Sequence, residues 1–315
     1  MILSCGDALI DFVPATLADG RDALIPVVGG SCLNVAVGLA RLGAPTGFVG
    51  GISTDLFGSM IADHAGASGV DLRYATRSGD QTTLAFVRHV AGEAQYAFYD
   101  AGTAVRNWTY PSGAIAFETI NAVHVGSTTL VDAKGAAETQ ALIAEAGRSA
   151  TISFDPNCRP NLVQDIAFYR KRMEAFADAA DMIKLSDVDF AYLHGHDDYA
   201  ARAEPLLAGG RSLFVVTRGP KGALAWHRNA GMVEVAAPAV EVVDTIGAGD
   251  SFQAALLFAL HALGRIGKQD LNQLSQGELH RALAFAAACA AVTCTRAGAD
   301  PPHWREMSAT WDNLG

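Results

Sequence analysis

The chain has 315 residues, of which half are hydrophobic and 18% are charged, and its formal net charge is −10. This composition is typical of a compact globular protein rather than of a disordered chain. The net acidity and the lack of any Lys/Arg block argue against a nucleic-acid partner, because proteins that bind nucleic acids neutralise strand phosphates with clustered basic residues. The apolar, uncharged stretch of residues 282–295 predicts a core helix and is too short to span a bilayer.

The cysteine content indicates a reducing compartment. The five cysteines are odd in number and form no Cys-x-x-Cys pair. The N-terminus has no basic region and reaches an acidic residue at Asp7, unlike a secretory signal. Both features predict a cytoplasmic protein with no membrane partner.

Strand-like and helical patterns alternate along most of the chain. Short β-rich runs stand at residues 2–5, 47–49, 122–125, 151–154, 182–185 and 213–217. Helical patterns stand at residues 33–42, 56–67, 133–148, 168–180 and 188–193. This alternation predicts an α/β fold with a parallel sheet covered by helices on both faces, which explains why the strands are continuously apolar.

Two extended runs, residues 82–89 and 95–99, interrupt this alternation because no helix separates them. The segment Val90-Ala91-Gly92-Glu93-Ala94 between them predicts a hairpin turn. Together with residues 23–28, these runs predict a small sheet beside the main one. No repeat or linker divides the chain, so we expect one domain over residues 1–315, with the small sheet formed within residues 11–30 and 82–100.

Two segments of the N-terminal region suggest a site for a polar ligand. Gly29 and Gly30 let the main chain approach a ligand, and Asn34, near the start of the next helix, offers the donor and acceptor that suit sugar hydroxyls. A glycine turn with a helix cap explains the same residues equally well. Asp11 is expected just after the first strand, at the sheet edge where ligands bind in open α/β sheets, and a solvated loop acid is the alternative.

Polar residues also follow three of the later predicted strands, at the same edge of the sheet. They are, in chain order, Asp155, Asn157 and Arg159, then Ser186 and Asp189, then Thr217, Gly219 and Gly222. Arg159 could pair with a phosphate or orient a substrate. Ser186 is also explained as a helix cap, and the turn that begins at Thr217 is open to a role at the edge of a nucleotide.

The most informative segment reads Asp244-Thr245-Ile246-Gly247-Ala248-Gly249-Asp250 and runs into an apolar helix. Free N–H groups at a helix N-terminus form an anion site, and small residues let a phosphate approach closely. Asp250 is then placed to take a proton from a hydroxyl held beside that phosphate. A helix cap after a glycine turn is the alternative. The segment lacks the Lys-Ser/Thr ending of a Walker A loop and the third glycine of a dinucleotide fingerprint, so a nicotinamide oxidoreductase is disfavoured.

Taken together, these motifs resemble the ribokinase/PfkB family of carbohydrate kinases. The resemblance runs the length of the chain and rests on Gly29-Gly30-x-x-x-Asn34, Asp155-x-Asn157-x-Arg159, Thr217-x-Gly219-x-x-Gly222 and the segment from Asp244 to Asp250. It implies a ribokinase-like three-layer α/β sandwich, with a mainly parallel central sheet and a small β-sheet lid. In this family the lid closes over the sugar and often mediates homodimers.

The resemblance also implies a role for each matching residue. Asp250 would be the general base, and the N–H groups of Gly247, Ala248 and Gly249 would stabilise the transferring phosphoryl group. The sugar would be bound by Asp11, Gly30, Asn34, Phe98 and Arg159, and ATP by Ser186, Thr217, Gly219 and Gly222. Mg²⁺ would be held through water near Asp189, and a monovalent cation such as K⁺ near Asp244.

Within the family, the chain is similar to bacterial fructokinases. The supporting stretches are Gly6-Asp7-Ala8-Leu9-Ile10-Asp11-Phe12, Thr82-Thr83-Leu84-Ala85-Phe86-Val87, Ala97-Phe98-Tyr99-Asp100 and Asp155-Pro156-Asn157-x-Arg159-Pro160. The implied reaction converts fructose to fructose 6-phosphate. The alternatives are a kinase for 2-keto-3-deoxygluconate, ribose or a nucleoside, and a regulator that binds a sugar or nucleotide without catalysis.

Overall fold

The computed structural model describes the backbone of residues 1–90 and 93–315 and the side chains of residues 1–87 and 97–315. The strands are β1 (Ile2–Cys5), β2 (Leu9–Thr16), β3 (Asp22–Gly29), β4 (Thr46–Ser53), β5 (Ala75–Ser78), β6 (Thr83–Val90), β7 (Glu93–Tyr99), β8 (Ala122–Gly126), β9 (Thr151–Asp155), β10 (Met182–Ser186), β11 (Leu213–Thr217), β12 (Ala223–His227) and β13 (Gly231–Val235). The helices are α1 (Ser31–Arg41), α2 (Leu56–Ala67), α3 (Ala104–Asn107), α4 (Ala133–Ala146), α5 (Ile166–Ala179), α6 (Asp187–His194), α7 (Tyr199–Ala208), α8 (Ala248–Ala262), α9 (Gln276–Cys294) and α10 (Trp304–Asn313).

The main sheet has nine strands in the order β13-β12-β11-β10-β9-β8-β1-β4-β5. Its pairings are parallel except for β11–β12 and β12–β13, which are antiparallel hairpin neighbours. All six strands predicted for this sheet are present, and β5, β12 and β13 extend its two edges. The α/β fold class is confirmed.

Helices cover both faces of the main sheet, which accounts for its apolar strands. On one face, α1, α8 and α9 pack over side chains such as Ile2, Met182 and Leu213. On the other face, helices α4 to α7 pack over the alternate side chains, among them Leu3, Ile183 and Phe214. Helix α8 lies deepest: every residue from Asp250 to Leu260 is buried. Within the part of the chain described, no helix combines the length and the hydropathy needed to cross a membrane.

A second sheet of four strands, in the order β3-β2-β6-β7, stands apart from the main one. We call it the small sheet. The extended runs near residues 23–28, 82–89 and 95–99 were predicted for it, but no run was predicted for β2, one of its two interior strands. The predicted turn between β6 and β7 includes residues 91 and 92, which lie outside the described residues.

Candidate active site

The polar residues that follow the central strands meet at one edge of the main sheet. The parallel neighbours β8, β9, β10 and β11 end at Gly126, Asp155, Ser186 and Thr217. Their register pairs Gly126 with Asp155 and Ser186 with Thr217. The predicted groups on these strands therefore lie side by side, as expected for a ligand site at the carboxyl ends of a parallel sheet.

Asp250 lies in the first turn of α8, and its carboxylate is surrounded by hydrogen-bond donors from two other parts of the chain. Oδ1 accepts hydrogen bonds from Ser31 Oγ at 2.7 Å and from Asn157 Nδ2 at 3.1 Å. Oδ2 accepts one from Asn34 Nδ2 at 2.9 Å. Burial raises the pKa of Asp250, and the hydrogen bonds from Ser31 and Asn34 oppose that shift because they favour the charged form. Asp250 and Asn34, which the sequence analysis assigned to two separate segments, are thus hydrogen-bonded in one site.

The small-residue loop before α8 has the predicted form. Gly247 is the N-cap of the helix, with a left-handed φ of 75°. A Cβ added at Gly247 would lie 2.6 Å from Cβ of Ala299, so only glycine fits at this position. The N–H of Ala248 donates a long hydrogen bond of 3.3 Å to the carbonyl of Thr245. The first N–H groups of a helix have no acceptor within it, so this end can bind an anion.

A buried ion pair lies against the same loop. Lys184 Nζ donates to Asp155 Oδ2 at 2.8 Å and to the carbonyl of Gly249 at 3.4 Å. Burial disfavours the charge of Lys184, but the carboxylates of Asp155, Asp189 and Asp250 together outweigh burial and raise the pKa of Lys184. The amine therefore stays charged and fixes the first turn of α8 to the ends of β9 and β10. The sequence analysis did not select Lys184, because this residue lies within an otherwise apolar strand.

Asp11 lies elsewhere than expected. It does not follow a strand of the main sheet, because β1 ends at Cys5 and Asp11 is the third residue of β2 in the small sheet. The apolar run Ala8-Leu9-Ile10 concealed this change of sheet, since it continues the hydrophobic pattern of β1. A Cβ at Gly29 would lie 2.2 Å from Asp11 Oδ2, so Gly29 makes room for this carboxylate.

One face of the small sheet carries both Asp11 and Phe98. Asp11 is paired in register with Ala85 of β6, and Ala85 with Phe98 of β7, so the three side chains share a face. Burial raises the pKa of Asp11 to about 6, and the nearby Arg159 guanidinium opposes the shift. The Asp7 and Asp250 carboxylates contribute to this raised pKa, so charged groups at the end of the main sheet act on Asp11.

Asp7 is a buried residue that sequence reasoning did not select. Its carboxylate accepts hydrogen bonds from the N–H of Cys32 at 3.0 Å, from Ser127 Oγ at 2.9 Å and from Thr128 Oγ1 at 3.0 Å. A Cβ at Gly30 would lie 2.6 Å from the carbonyl oxygen of Asp7, so this glycine is required for the close approach of two chain segments. Asp7 thus holds the start of α1 beside the end of β8. The sequence offered one signal for Asp7: it is an acidic residue that follows the first predicted strand within an otherwise apolar run.

The predicted nucleotide residues lie at the ends of β10 and β11. Ser186 is the N-cap of α6 and forms a capping box with Asp189, as the cap interpretation predicted. Asp189 Oδ1 also accepts the N–H of Cys158 at 3.0 Å, and burial raises the pKa of Asp189. Beyond Thr217, a Cβ at Gly222 would lie 1.9 Å from the carbonyl of Val235. The turn after Thr217 is therefore held close to the end of β13.

Asp244 connects the loop before α8 to the segment that follows α9. Its Oδ1 accepts the N–H of Ile246 at 3.0 Å, and its Oδ2 accepts the N–H of Gly298 at 2.9 Å. The carbonyl of Cys294 accepts the N–H of Asp244 at 3.2 Å. Asp244, the residue predicted to lie near a monovalent cation, is thus held against the segment that follows α9.

Comparisons with known proteins identify the family of the chain. The pfkB family carbohydrate kinase model matches residues 1–306. The fructokinase of Rhizobium leguminosarum bv. trifolii is 36% identical over 279 residues, which are 89% of this chain and 85% of that protein. The chain therefore belongs to the pfkB family of carbohydrate kinases.

Two solved structures are similar over nearly the whole fold. Fructokinase from Xylella fastidiosa with bound ATP has a TM-score of 0.89 and 30% identity, covering 99% of this chain and 98% of that one. A double mutant of fructokinase from Vibrio cholerae O395, bound to fructose, ADP and potassium ion, has a TM-score of 0.82 and 27% identity, covering 95% and 93%. The ribokinase-like architecture is therefore confirmed.

Proposed function

We propose that this protein transfers the γ-phosphoryl group of ATP to the 6-hydroxyl of fructose. The observation that carries the proposal is the buried Asp250 carboxylate in the first turn of α8, directly after the N-cap Gly247 and the first helical residues Ala248 and Gly249. A base beside an anion-binding helix end is the arrangement that phosphoryl transfer to an alcohol requires. The three similar proteins described above are named as fructokinases, and these names support fructose as the acceptor.

In this mechanism, Asp11, Gly30, Asn34, Phe98 and Arg159 bind the sugar. The small sheet serves as a lid that carries Asp11 and Phe98 on one face and excludes water when it covers the sugar. Asp250 takes the proton of the accepting hydroxyl, and the N–H groups of Gly247, Ala248 and Gly249 stabilise the charge on the phosphoryl group. The chain would work as a single domain with this lid.

ATP would lie along the ends of β10 and β11, against Ser186, Thr217, Gly219 and Gly222. Mg²⁺ would neutralise charge on the β- and γ-phosphates. Both oxygens of Asp189 already accept hydrogen bonds, so this residue would hold the ion through water. K⁺ would bind near Asp244 and the segment after α9, as supported by the potassium in the Vibrio cholerae structure.

We also propose a homodimer formed through the small sheet. Leu24 and Ile25 on its edge strand β3 are 47% and 51% exposed. Large exposed apolar side chains on an edge strand favour pairing with a second copy. Light scattering should show a dimer that becomes a monomer when Leu24 and Ile25 are both changed to Glu, and a monomeric wild type would contradict it. A cytoplasmic location is supported by the five cysteine thiols, all of which are free.

The function is tested by measuring ADP release with ATP and a panel of sugars. We expect the highest kcat/KM with fructose, and a clear preference for ribose, a nucleoside or 2-keto-3-deoxygluconate would overturn the acceptor. Asp250→Asn should lower kcat by about 10²- to 10⁴-fold while fructose still raises the melting temperature. The exposed helix residue Asp63 provides the control Asp63→Asn, which should keep wild-type turnover.

A further inference from the structure

The two carboxylate oxygens of Asp250 accept different numbers of hydrogen bonds. Oδ1 accepts from both Ser31 and Asn157, whereas Asn34 is the donor to Oδ2 among the described residues. Each carboxylate oxygen has about two lone-pair sites. Oδ1 is thus saturated, and one lone pair of Oδ2 remains for a proton.

Asn157 reaches Asp250 from a strained backbone. Its φ is 38°, and among the described residues it shares a positive φ only with Ser127 and several glycines. Such a conformation costs about 1–3 kcal/mol and persists where the surroundings hold it in place. The surroundings here are the Asp155 carboxylate, which accepts the N–H of Asn157 at 3.0 Å and is itself fixed by Lys184.

The side-chain amide of Asn157 is also held in one orientation. Its Oδ1 accepts a hydrogen bond from Arg159, so its Nδ2 is turned toward the base. That Nδ2 donates at 2.6 Å to Ser31 Oγ, which in turn donates at 2.7 Å to Asp250 Oδ1. Ser31 is 6% exposed, so water does not compete for these contacts.

We propose that Ser31 and Asn157 are positioning residues that saturate Oδ1 of Asp250 and leave Oδ2 as the atom that accepts the proton. This inference rests on the proposed function. The O–H bond of the sugar breaks and its proton moves to Oδ2 as the sugar oxygen forms a bond to the γ-phosphorus. The bond from that phosphorus to the β-bridging oxygen breaks, and ADP leaves with the electron pair. Asp250 afterwards releases the proton to solvent.

The charged groups around Asp250 determine how its protonation should respond to substitution. Lys184 and Arg159 favour its charged form. Asp11 and the buried thiol of Cys32 also interact with it electrostatically. Neither substitution removes one of these groups, but Asn157→Gly also takes away the oxygen that accepts from Arg159, so Ser31→Ala is the variant that leaves the contacts of all four groups in place. Loss of either donor disfavours the charged form of Asp250 and so raises its pKa. The acidic limb of the kcat–pH profile should therefore move to higher pH.

The test measures kcat, KM and the kcat–pH profile of Ser31→Ala and Asn157→Gly. Glycine tolerates the positive φ of residue 157, so the second variant keeps the backbone conformation while it loses the donor. We expect kcat to fall roughly 10- to 100-fold, with a smaller change in the sugar KM, because the base is misplaced rather than the substrate. The acidic limb should move upward in both variants.

Ser127→Gly is the matched control. Ser127 also has a positive φ, of 63°, and a buried side chain, but its Oγ donates to Asp7 rather than to Asp250. The acidic limb of the kcat–pH profile of Ser127→Gly should stay at the wild-type pH. If Ser31→Ala and Asn157→Gly lose stability or kcat with no movement of the limb, their role is structural and the proposal is overturned.

The proposed function and this inference fail in different ways. If Asp250→Asn keeps near-normal turnover, the general base is assigned wrongly and both fall. If Asp250→Asn is inactive while Ser31→Ala and Asn157→Gly match the wild type, only the positioning role fails. A different preferred sugar would change the acceptor alone, and the pH profiles would then be recorded with that sugar.

Discussion

Lys184 and Asp155 form an ion pair of 2.8 Å whose side chains are 4% and 2% exposed, directly against the first turn of α8. Removing one partner of a buried pair leaves an uncompensated charge and typically costs about 3–5 kcal/mol. We expect Lys184→Met to lower the free energy of unfolding by this amount in urea titrations.

The double variant Lys184→Met with Asp155→Asn removes both charges. It should be more stable than Lys184→Met alone, because no unpaired charge remains in the interior. Equal stability of the single and double variants would show that the pair contributes through packing instead.

Asp11 should reduce the stability of the protein at neutral pH. Its pKa is raised from 3.8 to about 6 by burial, so the folded protein binds its proton more tightly than the unfolded chain. Stability is therefore lost as the pH rises from about 4 to about 6, and the loss persists above this range. Asp11→Asn should gain up to about 3 kcal/mol at pH 7, with no gain near pH 4, while sugar affinity falls.

Chemical unfolding at several pH values tests this expectation. Asp22→Asn is the control, because Asp22 is an exposed acid on the neighbouring strand β3. An equal gain in both variants would mean that net charge, rather than the burial of Asp11, is responsible.

Gly29→Ala should impair sugar binding. The new Cβ would lie 2.2 Å from Asp11 Oδ2 and displace the carboxylate. We expect the sugar KM to rise by roughly tenfold or more, the cost of about one hydrogen bond to a charged group. Gly79 provides the control Gly79→Ala, because no atom lies within 4 Å of its added Cβ. Equal KM values for the two variants would exclude this role of Gly29.

Two glycines with the same backbone conformation mark the ends of α8. Gly247 has φ of 75° and Gly264 has φ of 69°, but an added Cβ meets Ala299 only at Gly247. Both alanine variants should lose about 1–3 kcal/mol of stability through strain. Only Gly247→Ala should also lower kcat, by about 10²-fold, since it distorts the N–H groups at the start of the helix. A similar kcat loss in Gly264→Ala would indicate that strain alone is responsible.

The main-sheet strands were predictable because they are covered on both faces and therefore continuously apolar. Strand β2 was not, because Ala8-Leu9-Ile10 continues the pattern of β1 while the chain changes sheet. Strands β12 and β13 form a hairpin after the Thr217 turn, and the edge strand β13 gave a weaker signal because only part of it is buried.

The glycine loop and Asp250 were predictable because they form one continuous segment. The donors to Asp250 were not, because they come from distant parts of the chain. Ser31 lies 219 positions from Asp250 and Asn157 lies 93 positions from it. Only the folded arrangement of α1, the end of β9 and α8 brings these side chains within hydrogen-bond distance.

The small sheet is built from two hairpins, and the two ends of each hairpin lie beside each other. Leu9 is paired with Gly29 in the first, and Leu84 with Tyr99 in the second. Neither includes any residue of α8 or of the loop that precedes it. Under the proposed function, exchange of these two hairpins between relatives would alter the surface that covers the acceptor without altering the residues assigned to the phosphoryl group. The proposal therefore implies that acceptor preference and phosphoryl chemistry can evolve separately in this fold.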